Sequence, residues 1–255
     1  MIKEIYSKLA SIMCRKQIRH NGSVVYLMFH SIENDDSDVK SIYHMSVSKF
    51  QKICLLLRSI SDTTLRECEA PIEFICTFDD GYQNYIDNAL PILEEYNLKS
   101  IVFLIAKNLI IQSKGYIEGT SLKILQNYNN TSIGMHGYDH VDLNSLSAKQ
   151  LSEELNNIRN VCKALSFSTK YFSLPFGRAN DDILSKLSGQ GFTEIFTSDY
   201  GAKVLSRNGY KAYQRIDIWS DDTNITVKQK IKQCWRLFYA VESYRANLYK
   251  ITNLN

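Results

Sequence analysis

Short β-branched or aromatic runs alternate along this chain with longer stretches of three- and four-residue apolar spacing, the pattern of repeated βα units around a mostly parallel sheet. The runs fall at residues 24–29, 74–78, 101–105, 133–135, 171–172, 194–197 and 212–216, and helical spacing fills 47–60, 85–96, 121–128, 148–165, 181–188 and 227–244. Seven strands and six helices predict an α/β fold, a distorted (β/α)7-type barrel in a single domain. One helix start is marked strongly: Ser147 precedes a helical pattern and Gln150 follows three residues on, the spacing of a reciprocal capping box.

Ahead of the first strand, Ile2, Ile5, Tyr6, Leu9, Ile12 and Met13 recur at helical spacing among basic residues, so residues 1–22 are expected to form an amphipathic helix. It would either dock on the fold or contact a membrane surface peripherally. Residues 23–220 form the expected main domain, and 221–255 an expected helical extension packed on the barrel.

A length of 255 residues is enough for one barrel domain. With 30 basic and 27 acidic residues and a net charge of +3, the surface is mixed in sign, which argues against nucleic acid as a partner. Six cysteines without a CxxC pair fit reduced thiols better than a disulfide framework. No unbroken apolar stretch resembles a secretory signal or a membrane span, so the expected location is cytoplasmic.

The polar residues able to do chemistry follow the apolar runs: His30 after the first, Asp79 and Asp80 after the second, His136 and His140 after the fourth. In βα barrels the loops at the carboxyl ends of the strands share one face, so these five side chains are expected to converge. Adjacent carboxylates in one pocket repel, which suits one as a metal ligand and the other as a general base. Two imidazoles four residues apart, with one carboxylate, make a metal-binding set that leaves positions open for water and substrate. Taken alone, Asp-Asp-Gly is commonly a turn or helix cap, and HxxxH a surface or core pair. The specificity lies in the combination.

These motifs resemble the polysaccharide deacetylase family, also called the NodB-homology or carbohydrate esterase family 4 domain. Thr77-Phe78-Asp79-Asp80-Gly81 matches its first motif and His136-Gly137-Tyr138-Asp139-His140 its second, with Gly137 where Ser or Thr is common. Phe172-Ser173-Leu174-Pro175-Phe176-Gly177 corresponds to the third, and the likeness runs from about Val24 to Ile218. The resemblance implies Asp79 as general base and Asp80, His136 and His140 as ligands of a divalent metal, zinc first, with iron, cobalt or nickel also suited. It further implies a substrate groove lined by Pro175, Phe176, Gly177 and Tyr82, with the Phe176 backbone N–H available to an oxyanion.

Two departures stand out. The family's third motif often holds an arginine that tunes the catalytic aspartate, and Ser173 occupies that place. The last motif supplies a histidine as general acid, yet no histidine follows His140. In a permuted branch, similar to the poly-N-acetylglucosamine deacetylases, the acid histidine precedes the first motif and the arginine is often missing. His30, in Leu27-Met28-Phe29-His30-Ser31, fits that pattern, its alternative being a simple strand cap. His20 and His44 lie in polar or loop-like contexts and receive no role.

The implied reaction is removal of acetyl groups from N-acetylated sugars in a polysaccharide, an oligosaccharide or a glycan precursor of surface-polysaccharide synthesis. Sixteen tyrosines and two tryptophans suit stacking on sugar rings, and Trp219 is placed either to reach the groove or to pack. The competing readings are an O-acetyl esterase or another amide hydrolase on the same fold, and a non-catalytic glycan-binding relative. A binding module would have no need of a base beside a metal.

Overall fold

The computed structural model describes residues 5, 24–38, 41–67, 72–200, 204–207 and 209–232. The chain divides into two compact units, Asn21–Asp221 and a second made of Met1–His20 with Asp222–Asn255. The helix expected over 1–22 lies outside the described residues, apart from Ile5, as does the last expected helix beyond residue 232.

In chain order the first unit runs β1 (Val24–Phe29), β2 (Ser31–Glu33), β3 (His44–Ser46), α1 (Val47–Glu67), β4 (Glu73–Phe78), α2 (Leu90–Glu95), β5 (Lys99–Leu104), α3 (Ala106–Ile111), α4 (Leu122–Leu125) and β6 (Thr131–Met135). It continues through α5 (Ala148–Ala164), β7 (Tyr171–Ser173), α6 (Asp181–Gly189), β8 (Glu194–Tyr200), β9 (Val204–Arg207) and β10 (Tyr210–Asp217). In the second unit α7 spans Asn224–Ile231. Strands β1, β4, β5, β6, β7, β8 and β10 pair in that order, and β10 returns to β1. These pairings are parallel, so seven strands close a barrel.

Each of the seven apolar runs is a barrel strand. The capping box at α5 forms: Gln150 N–H donates to Ser147 Oγ at 3.3 Å, and Ser147 N–H to the Gln150 side chain at 2.9 Å. The helix expected over 85–96 opens with a wider π-type turn, Tyr85–Ala89, before α2 takes over with Pro91 in its first turn. Leu90 N–H still bonds back to Tyr85 O, and the change of helical pitch lets Pro91, with its fixed φ, enter α2. Three elements carry no sequence period: β2 and β3, which pair in parallel as a small second sheet, and β9, which folds antiparallel onto β10.

Strand side chains alternate between the barrel interior and the helices outside. The interior is aromatic: Tyr26, Phe103, Phe196 and Tyr213 pack with ring centroids 5.0–5.1 Å apart. Phe103 needs the missing side chain of Gly134 on the neighbouring strand, where a Cβ would stand 2.4 Å from the ring. On the outer face Phe29 and Phe78 meet Phe50 of α1. Among the described residues no helix is long and apolar enough to cross a membrane.

Candidate active site

Inward parity, followed to the carboxyl ends of the strands, generates the site. From Tyr26 inside β1 the same face passes through Met28 to His30; from Thr77 in β4 it reaches Asp79; from Gly134 in β6 it reaches His136. Register aligns these ends. Phe29 pairs with Phe78, so His30 and Asp79 are neighbours, and Asp79 N–H donates to Phe29 O at 3.0 Å. Met135 pairs with Phe172, and one step on His136 Nδ1 donates to Ser173 O at 2.9 Å.

That bond fixes the His136 tautomer and leaves Nε2 free as a ligand. Nε2 stands 3.5 Å from Asp80 Oδ1, and His140 Nε2 stands 3.3 Å from the same oxygen. One donor atom from each of Asp80, His136 and His140 lies within 4.8 Å of the others. Two ligands of a tetrahedral zinc sit about 3.3 Å apart, so the three residues fit a shared ion. Two of the carriers are held in left-handed backbone, Asp80 at φ 70° and His140 at φ 54°. Strain of this kind costs of order 1–3 kcal/mol per residue and collects at functional sites.

The loop bearing His140 is gripped from α5. Glu154, buried, accepts from Tyr138 N–H at 2.6 Å and Asp139 N–H at 3.2 Å. Gly137 turns at φ 79°, and a Cβ there would meet Pro175 Cγ at 3.0 Å and Glu154 Oε1 at 3.2 Å. Glycine therefore stands where the family commonly has Ser or Thr, because the turn here is left-handed and crowded.

Asp79 is the most constrained group. Arg215, fully buried, donates from Nη1 to Asp79 Oδ1 and from Nη2 to Oδ2, each at 2.8 Å. The same guanidinium reaches Ser173 Oγ at 2.9 Å, Thr77 Oγ1 at 3.2 Å and Thr197 O at 2.9 Å. An arginine thus meets the aspartate after all. It comes from β10, and Ser173, in the third-motif position, accepts one of its hydrogens. Sequence reasoning missed it, although the signal was present: an arginine inside the last apolar run has no place in a barrel interior without a partner.

Electrostatics follow from these contacts. Burial alone would raise the Asp79 pKa, but Arg215, with His136 and His30, outweighs it and holds the carboxyl well below the usual carboxylate range. Burial pushes the His136 imidazole down to about 4, so it is neutral and ready to ligate at neutral pH. Burial also lowers the His30 pKa, against the opposing pull of Asp79 and Asp80. Asp80 is raised, by burial first and by its neighbour Asp79 as well.

A cleft of about 410 Å³ opens over these groups, within the range of small-ligand sites, and His30, Asp79, Asp80, His136 and His140 all line it. Of the expected groove residues, Tyr82, Phe176 and Gly177 line it as well. Phe176 is 62% exposed, at φ 58°, in a short 3-10 turn, with its ring 5.1 Å from that of His140. Pro175 departs from the expectation: it is buried against the Gly137 turn, behind the wall. Trp219 lines the cleft, and so does His44, whose loop-like context in the sequence suggests no role.

Comparison with known proteins bears on the same elements. Residues 67–195 match the polysaccharide deacetylase family. The YxkH protein of Bacillus subtilis (strain 168) is 26% identical over 200 residues, 74% of this chain and 69% of that one. A chitin deacetylase of Pestalotiopsis is 27% identical over 143 residues, 54% of this chain, and the match spans about half of that enzyme, 47%. The Streptococcus pyogenes deacetylase PplD, solved in complex with acetate, shares the fold at a TM-score of 0.67 and 20% identity, over 83% of this chain and 99% of that one. With the matched segment carrying β4 through β7 and the motif residues on them, this chain belongs to the polysaccharide deacetylase family.

Proposed function

We propose that this protein is a metal-dependent hydrolase that releases acetate from N-acetylated sugars. The observation that carries the reading is the pairing of a three-residue ligand set with a separate carboxylate beside it, locked by Arg215. Asp80, His136 and His140 would hold the ion. When bound there, a divalent cation supplies Lewis acidity, polarising the acetyl carbonyl and making water more acidic. Zinc is the first choice, and iron, cobalt or nickel suit the same donors.

The protein's own groups account for the remaining steps. Asp79, kept ionised and aimed by Arg215, takes a proton from the attacking water. The Phe176 N–H would donate to the oxyanion that develops on the acetyl oxygen, and the left-handed turn at Phe176 supports that role. His30, beside Asp79 at the end of β1 and neutral at rest because burial lowers its pKa, would relay to the departing nitrogen the proton that Asp79 takes from water, since an amide nitrogen leaves poorly as an anion. The products are acetate and a free amino sugar.

The decisive assay measures released acetate and new free amines from N-acetylglucosamine oligomers, alongside the metal content of the purified protein. Both products and a stoichiometric metal are expected. Acetate without new amines, released from O-acetylated glycans alone, would replace the amidase reading with an esterase. A protein carefully loaded with zinc that retains none would end the metal-dependent reading.

A further inference from the structure

The excursion between β1 and α1 builds a polar device on the cleft wall that the proposed chemistry does not use. His44 Nδ1 lies 3.2 Å from Glu33 Oε1. Glu33 is held in turn: Asn84 Nδ2 donates to the same oxygen at 3.0 Å and Ser31 Oγ also donates to it. Asn84 Nδ2 reaches Ser31 Oγ at 2.6 Å, and its Oδ1 accepts from Ile32 N–H at 3.3 Å. An ionised carboxylate only accepts, so Nδ1 carries the hydrogen and Nε2, on the far side of the ring, is left for another partner.

The wall that bears His44 is fastened down. Ser220 N–H donates to Ile42 O and Ser220 Oγ to Ser41 O, both at 2.9 Å, while Lys49 Nζ reaches Ser220 O at 2.5 Å. Asn88 Nδ2 holds Ile32 O at 2.7 Å from the other side. One aromatic neighbour lies against the imidazole: Tyr82, with its ring 5.8 Å from that of His44, is itself stacked on Tyr116. Elsewhere on the cleft Tyr43, 49% exposed, lies against His30. A held polar group beside aromatic side chains complements a pyranose ring, which has apolar faces and a rim of hydroxyls.

We propose that His44, oriented by Glu33, is a sugar-recognition residue that hydrogen-bonds through Nε2 to a ring hydroxyl of the glycan in the cleft. The glycan's identity rests on the deacetylase reading; the geometry of the His44–Glu33 pair does not. A pair that merely tied β2 to β3 would need neither an imidazole on the cleft nor a three-donor grip on its carboxylate.

The test measures binding of an N-acetylglucosamine tetramer by calorimetry to zinc-loaded Asp79→Asn protein, in which turnover is blocked. The same titration is then made with His44→Ala and with His44→Gln added to that background. Losing one such bond should weaken binding about tenfold. Gln, which can still donate and accept, should restore most of the loss, and Glu33→Gln should weaken binding less than His44→Ala does. An unchanged dissociation constant in His44→Ala, or a fall in thermal midpoint with no fall in affinity, overturns the proposal. So does a parent protein that binds no tetramer, even one that releases acetate from other compounds. A parent that binds the tetramer, while the wild type releases no acetate from it, sinks the deacetylase reading instead and leaves the His44 comparison readable.

Discussion

Arg215 and Asp79, 136 residues apart in the chain, meet through two hydrogen bonds of 2.8 Å with the arginine wholly excluded from solvent. A buried pair of this geometry is costly to break from one side, because the survivor is left as an unpaired charge in a dry interior. The pair makes Asp79 a fixed acceptor with a set direction.

Arg215→Met should therefore lower stability by about 3–5 kcal/mol in urea denaturation, and adding Asp79→Asn to it should recover part of that loss. In the single variant, burial is no longer opposed by the guanidinium, so the Asp79 pKa should rise. The acid limb of the pH–rate profile should then move to higher pH. Two single-variant losses that simply add would show that the residues are not coupled.

Asp79→Asn and His136→Ala should separate base from ligand. The first is expected to abolish acetate release while the purified protein keeps its metal. The second should lose both. Turnover surviving in Asp79→Asn would remove that residue from the role of base.

His30→Ala tests the acid. A positioned proton donor contributes on the order of 10²–10⁴-fold, so kcat should fall by that factor with little change in metal content. A normal kcat would return the proton to another group in the cleft.

The fully buried His136 predicts a pH dependence of stability in metal-free protein. Its pKa is about 4 in the folded state against an ordinary 6.5, so between those values the unfolded chain binds a proton that the folded one refuses. Stability is then complete above about pH 6.5 and falls toward pH 4, by roughly 3 kcal/mol from this ring. Urea titrations in chelator at pH 7 and pH 5 measure the slope. An equally steep slope in His136→Gln would assign it elsewhere.

The sequence made the barrel legible because buried parallel strands are short apolar runs, and all seven lie where such runs lie. It also pointed to Asp79, Asp80, His136 and His140, since motif spacing and strand-end position agree. Strands β2 and β3, three residues each, are too short to show a period, so the partnership of Glu33 with His44 was hidden. Arg215 was hidden for another reason. Its partner follows β4, two strands along the wall and 136 residues back in the chain, and only the closure of β10 on β1 brings the two together. Pro175 sits in the motif and its position suggests groove lining, yet the turn that exposes Phe176 buries the residue before it.

The barrel closes along a narrow seam, where β1 and β10 share two registered pairs, Leu27 with Ile216 and Met28 with Asp217. A nascent chain that has left the ribosome only as far as β7 already contains Asp80, His136 and His140, but its Asp79 has no guanidinium to face. The proposed ligand residues are therefore all made before the partner that fixes Asp79, and a product cut just short of residue 215 would lack both that partner and the strand that shuts the wall.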